Sequence, residues 1–153
     1  MFDLPVKAFS FDGIDGSIEI YIEEVFGYPD NTSIDGGYDL RGFINLRANC
    51  YSVTNGELWF SSGGLYRFKN QLEPSYKSLQ GKAHLRTFEH EFSIEADFKK
   101  NGHVIISGRY KQRPDVENEL LFEITSDQTQ LVQTLIDLKN IEKILGDDSG
   151  IKK

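Results

Sequence analysis

Apolar residues at every second position, in several separate runs, constrain this chain more than any other feature. Ile18, Ile20 and Ile22 alternate with Glu19, Tyr21 and Glu23. Successive side chains of a strand point to opposite faces, so the pattern predicts a strand over 17–26 with one face buried and one solvated. Over residues 39–52, Leu40, Gly42, Ile44, Leu46, Ala48 and Cys50 share one face, while Arg41, Asn45, Arg47 and Asn49 share the other. That parity turns Cys50 inward, where it would act as a small hydrophobe. Residues 4–11 read as a shorter first strand. Turn chemistry in Tyr28-Pro29-Asp30-Asn31 and Asp35-Gly36-Gly37 makes 27–38 a loop. Asn55-Gly56 is a hairpin signal leading into a strand over 57–61.

The period then changes. Leu65, Phe68, Leu72, Tyr76 and Leu79 recur at three- and four-residue steps, the apolar stripe of a helix. Ser61 or Ser62 can cap its start and Gly81 can end it. Pro74 lacks a backbone N–H and crowds the preceding turn, which predicts a kink near 72–73 or two short helices. A strand-like stretch over 82–98 carries Ala83 and Leu85 at odd positions but Phe92, Ile94, Ala96 and Phe98 at even ones. Such a change of face needs a bulge or turn within 87–90.

Register can be argued around Asn101-Gly102. A three-residue loop, Lys100-Asn101-Gly102, sets Phe98 opposite Val104, Ala96 opposite Ile106 and Phe92 opposite Tyr110, with Glu91 beside Lys111. A two-residue loop would instead expose Val104 and Ile106, so the longer loop with a left-handed Gly102 is predicted. After a polar loop over 112–118, a strand over 119–125 buries Leu120, Phe122 and Ile124. Asp127 stands three residues before Gln130, the spacing of a capping box. Leu131, Leu135, Leu138, Ile141 and Leu145 then follow at helical spacing to a stop at Gly146.

Short turns join most strands, which predicts antiparallel pairing. The expected fold is α+β: mainly antiparallel sheet, sandwich-like or strongly curved, with one internal helix and a C-terminal helix packed on the sheet. Residues 1–146 form one domain, and 147–153 are expected to be a flexible tail. A chain of 153 residues can bury a core without staples. Its single cysteine cannot form an internal disulfide, which favours a reducing compartment. The Met1-Phe2-Asp3-Leu4-Pro5 start lacks the features of a signal peptide, and no apolar run spans a membrane, so a cytoplasmic location and no membrane partner are expected.

Charge is distributed unevenly. Residues 1–40 carry nine acids and one base, a net of −8, while the remaining residues carry 15 acids and 16 bases. Phosphates would be repelled by the acidic segment, which argues against direct nucleic-acid binding there. A basic protein would be attracted and steered. Solvated acidic turns that keep a chain soluble would look the same.

Catalytic and metal chemistry find little support. His84 and His90 lie near Glu89 and Glu91 but fall either side of the predicted face change, without a second tightly spaced ligand pair. Ser61-Ser62-Gly63-Gly64 lacks the lysine and glycine spacing of a phosphate loop. Arg109, Lys111 and Arg113 suit a solvated strand edge. No catalytic residue, metal ligand or cofactor is predicted, and function must then reside in a surface.

Two stretches together resemble a known family. One runs from Glu89-His90-Glu91-Phe92 to Gly102-His103-Val104-Ile105-Ile106-Ser107-Gly108. The other is Leu120-Leu121-Phe122-Glu123-Ile124-Thr125-Ser126-Asp127-Gln128-Thr129, entering the last helix. With the helix near 65–79 and Gly81 after it, they are similar to the WapI-like immunity proteins over about residues 15–145. The resemblance implies a non-enzymatic protein that binds and neutralises a cognate toxin, expected to be a basic nuclease domain. Combined with the acidic segment, it nominates Glu19, Glu23, Glu24, Asp30, Asp35 and Asp39 as contacts and Tyr21, Tyr28 and Tyr38 as aromatic anchors. A different class remains open: a domain that binds or senses a small molecule in a Phe-rich apolar pocket.

Overall fold

The register argued from Gly102 is the one adopted. In the computed structural model, which describes residues 3–87 and 91–151, Phe98 pairs with Val104, Ala96 with Ile106 and Phe92 with Tyr110. Lys111 N–H donates to Glu91 O at 2.7 Å just beyond. Asn101 and Gly102 both adopt positive φ, 65° and 79°.

Among the described residues, eight strands form two antiparallel four-stranded sheets. The first contains β1 (Val6–Asp12), β2 (Gly16–Phe26), β3 (Asp39–Ala48) and β4 (Tyr51–Ser61) in sequence order. Helix α1 (Ser62–Ser78) crosses to the second sheet, β5 (Gly81–Arg86), β6 (Phe92–Phe98), β7 (His103–Tyr110) and β8 (Leu120–Asp127), again in sequence order. Helix α2 (Leu131–Leu145) follows and packs on β1 and α1. One apolar cluster runs from Ile18, Ile20 and Ile44 of the first sheet to Ile94, Ile106 and Ile124 of the second, so the two inner faces share a core. Phe9, Phe11 and Phe68 form edge-on and tilted aromatic contacts where β1 meets α1. Lys69–Glu142 and Lys139–Glu73 pair the two helices.

Three local expectations are corrected. Cys50 is exposed, because the hairpin turn falls at Asn49-Cys50 between the paired Ala48 and Tyr51. Asn49 takes φ 55° and donates its N–H to Asp15 O; asparagine tolerates that left-handed conformation, so alternation stops one residue before the cysteine. Asn55-Gly56 is accordingly a bulge inside β4, not a turn: pairing jumps from Leu46–Val53 to Ile44–Gly56. Gly56 is needed because a Cβ there would lie 2.6 Å from the Tyr110 hydroxyl. Finally, α1 is continuous through Pro74 and ends at Leu79, whose φ is 56°, before Gly81. Proline near the C-terminal end removes one internal hydrogen bond, while buried Leu65, Phe68 and Leu72 hold the helix from the core side. Ser61 is the N-cap, accepting from Gly64 N–H at 3.0 Å.

The face change expected within 87–90 coincides with the connection between antiparallel β5 and β6; Thr87 N–H donates to Phe92 O at 3.0 Å, and residues 88–90 lie outside the described residues. Asp127 caps the last helix as predicted, accepting from Thr129 and Gln130 N–H, although the first turn is 3-10. Replacing it by Ala should lower stability, read as a lower urea midpoint with unchanged m.

Tyr110 ties the two sheets together by donating its hydroxyl to Glu57 O at 2.7 Å. Burial, followed by the charges of Glu91 and Glu57, pushes its pKa from 10.0 up to about 12. A raised pKa in the folded state leaves stability intact below pH 10 and removes it as the unfolded phenol ionises between about pH 10 and 12. Tyr110→Phe should lose about 1 kcal/mol at neutral pH, for the missing hydrogen bond. The difference between wild type and variant should then shrink or reverse between pH 10 and 12 in parallel urea titrations.

Candidate functional site: the outer face of the first sheet

Helix α2 lies across β1, leaving the outer side of β2, β3 and β4 to solvent. A bulge decides what this face presents. The pairing of β2 with β3 shifts between Ile22–Gly42 and Glu24–Arg41, so Glu23 is an extra residue. Ile18, Ile20 and Ile22 point inward before it, and Val25 pairs with buried Leu40 after it. Glu24 and Phe26 are thereby turned outward, opposite Arg41 and Asp39. Uninterrupted alternation would have buried Phe26.

Two aromatic pairs cross the face. Tyr21 stacks on Phe43, with centroids 4.9 Å apart and planes 12° from parallel. Phe26 stacks on Trp59 at 5.6 Å and 20°. Both rings of the second pair remain accessible, Phe26 by 39% and Trp59 by 42%. Carboxylates lie between and around them. Tyr21 donates its hydroxyl to Glu19 at 2.7 Å, which raises the phenol pKa. Trp59 donates its indole N–H to Glu57 at 2.8 Å. Arg41 is clasped by Glu24 and lies 3.6 Å from Glu23, and the Glu24 hydrogen bond raises the guanidinium pKa further. Glu23 and Glu24 are thus partly neutralised within the face.

The nine nominated residues separate into two groups. Glu19, Tyr21, Glu23 and Glu24 lie along β2 on this face, and Asp39 begins β3 at its far end. Asp30 is exposed in the 27–38 loop. The others build the loop itself. Tyr38 is fully buried, donating its hydroxyl to Pro29 O at 2.9 Å and accepting from Ile151 N–H at 3.1 Å. Tyr28 packs edge-on against it. Asp35 accepts from Ser61, the α1 cap, at 2.6 Å and lies 3.4 Å from Arg67. A carboxylate there faces the positive end of the helix dipole. Gly37 makes the approach possible: a Cβ would lie 2.2 Å from Ser62 Oγ. Residues 147–151, read from sequence as a tail, meet this loop; Gly37 N–H donates to Asp148 O at 2.7 Å.

The sequence reading missed Phe26, Phe43, Glu57 and Trp59. Glu57 and Trp59 were detectable, because Leu58 and Phe60 between and after them fix an outward parity for the only tryptophan. Phe26 was hidden by the bulge. Where the loop meets β4, Phe26, Ile34, Asp39 and Trp59 line an open groove of about 470 Å³. No group of three or more potential metal ligands occurs among the described residues. His84 is exposed, and His90 lies outside the described residues. No helix among the described residues is long and apolar enough to cross a membrane.

These features define an α+β protein in which, among the described residues, two antiparallel four-stranded sheets are joined by an internal helix and followed by a C-terminal one. Residues 10–146 match the immunity protein WapI-like family, and the chain belongs to that family. Searches of curated proteins and of solved structures return no match.

Tyr38→Phe should loosen the junction of loop and C-terminal segment. Loss of one donated and one accepted hydrogen bond is expected to cost about 1–3 kcal/mol. Faster amide exchange at Ile151 than at core amides of β3 would be its local signature.

Proposed function

We propose that this chain is an immunity protein that binds a cognate toxin domain without catalysing any reaction, using the outer face of β2–β4. The family assignment supports the immunity role. The observation that carries the placement is the solvent-facing combination of stacked aromatics with Glu19, Glu57 and Asp39. Aromatic residues provide large, rigid contact area, and carboxylates around them favour a basic partner. A nuclease that binds phosphates would supply such a basic surface. Inhibition would then follow from covering that surface. A cytoplasmic site of action suits protection of the producing cell.

The alternative of a small-molecule domain has less support. Its motive was the abundance of Phe, yet Phe9, Phe11, Phe68 and Phe92 are fully buried in the core. The groove beside Trp59 is open to solvent along the sheet face.

The test is co-elution with the toxin domain encoded beside this gene, followed by stopped-flow association across a salt series. Wild type should form a complex whose association rate falls as salt rises. Glu19→Lys with Glu23→Lys should slow association by about tenfold at low salt and flatten the salt dependence. An unchanged rate and salt dependence would move the contact surface elsewhere.

A further inference from the structure

The groove at the junction of loop and sheet has three properties that a general acidic surface lacks. Its floor includes the stacked Phe26–Trp59 pair, with part of each ring exposed. Ile34 stands 96% exposed at its lip. Asp39 lines it and Glu57 flanks the indole, and among the described residues neither carboxylate is in an ion pair. Asp39 accepts from the neutral Ser33 hydroxyl at 2.6 Å and Glu57 from the indole N–H. Neither donor carries a positive charge, so both carboxylates stand beside an accessible π surface without a hydrogen-bonded cation.

We propose that this groove receives an arginine side chain of the partner protein, an inference that rests on the immunity reading above. A guanidinium is planar and weakly hydrated, so it can lie over an aromatic face while its edge N–H groups reach carboxylates. A lysine ammonium matches such a slot less well, being a compact and strongly hydrated point charge. Ile34 provides apolar cover for the alkyl part of the arriving side chain. The bulge at Glu23 is what creates the slot, since it brings Phe26 to the surface beside Trp59.

Trp59 is the only tryptophan, so intrinsic indole emission reports on this groove. The full chain is titrated with an oligo-arginine peptide, with an oligo-lysine peptide and with the uncharged oligo-citrulline counterpart. Oligo-arginine should give a saturable change in Trp59 emission, oligo-lysine a weaker one and oligo-citrulline none. Asp39→Asn with Glu57→Gln keeps an acceptor for Ser33 and for the indole, so the fold is retained while both charges go. This variant should bind oligo-arginine about tenfold more weakly, the order expected for two half-exposed charge pairs. Binding that leaves Trp59 emission unchanged, or equal affinity for wild type and the double variant, overturns the proposal. Failure of the groove and failure of the immunity reading are distinguishable. A toxin that binds wild type and D39N/E57Q equally removes the groove alone. A response to oligo-arginine without any toxin complex removes the immunity reading.

Discussion

The surface chemistry of the first sheet depends on a single inserted residue. Glu23 opposes no partner of its own in β3, and its insertion reverses which side chains face the core for the rest of β2. Before it, isoleucines at even positions pack inward; after it, Val25 does. Both neighbouring glutamates reach Arg41, and Phe26 meets Trp59 outside the core. A regular strand would bury Phe26 and separate Glu23 from Glu24 on opposite faces. The bulge is tolerated because the inner face loses nothing by it: Val25 fills the position beside Leu40.

A second bulge, in β4, couples the sheets. Asn55-Gly56 opens room beside the strand, and the Tyr110 ring occupies it with its hydroxyl on Glu57 O. Glu57 therefore belongs to both levels of the structure. Its backbone carbonyl is fixed from the core side by Tyr110, and its carboxylate holds the Trp59 indole on the outer side. The loop over 27–38 is anchored with similar economy. Tyr38, Asp35 and Gly37 tie it to the start of α1 and to the C-terminal segment. The groove thus lies between an anchored loop and a paired strand.

Several polar residues outside the acidic segment are used in pairing and capping. Arg109 and Arg113 pair with Glu119 and Asp115, and Asp127 caps a helix. The negative charge of residues 1–40 has a divided purpose. Asp35 stabilises α1, and Glu23 and Glu24 hold Arg41, whereas Glu19 and Asp39 accept only from hydroxyls in the bonds described. Net charge in a segment therefore does not say which of its carboxylates are paired and which are not.

The sequence by itself determined the α+β class, the antiparallel pairing, the β6–β7 register and the Asp127 cap. Each rests on local periodicity or on a turn whose loop length admits one burial-consistent alignment. It also located the acidic segment from which part of the face is built. Only the tertiary structure decided that Asn49-Cys50 turns while Asn55-Gly56 bulges, that Tyr38 is core and that Phe26 is surface. Both Asn-containing pairs can adopt left-handed backbone, and the choice between them is made by what packs opposite. Tyr110 selects the bulge at Gly56, and Asp15 accepts the Asn49 N–H at the turn. Such partners are distant in sequence, so alternation alone cannot distinguish a strand that ends from one that gains a residue and continues.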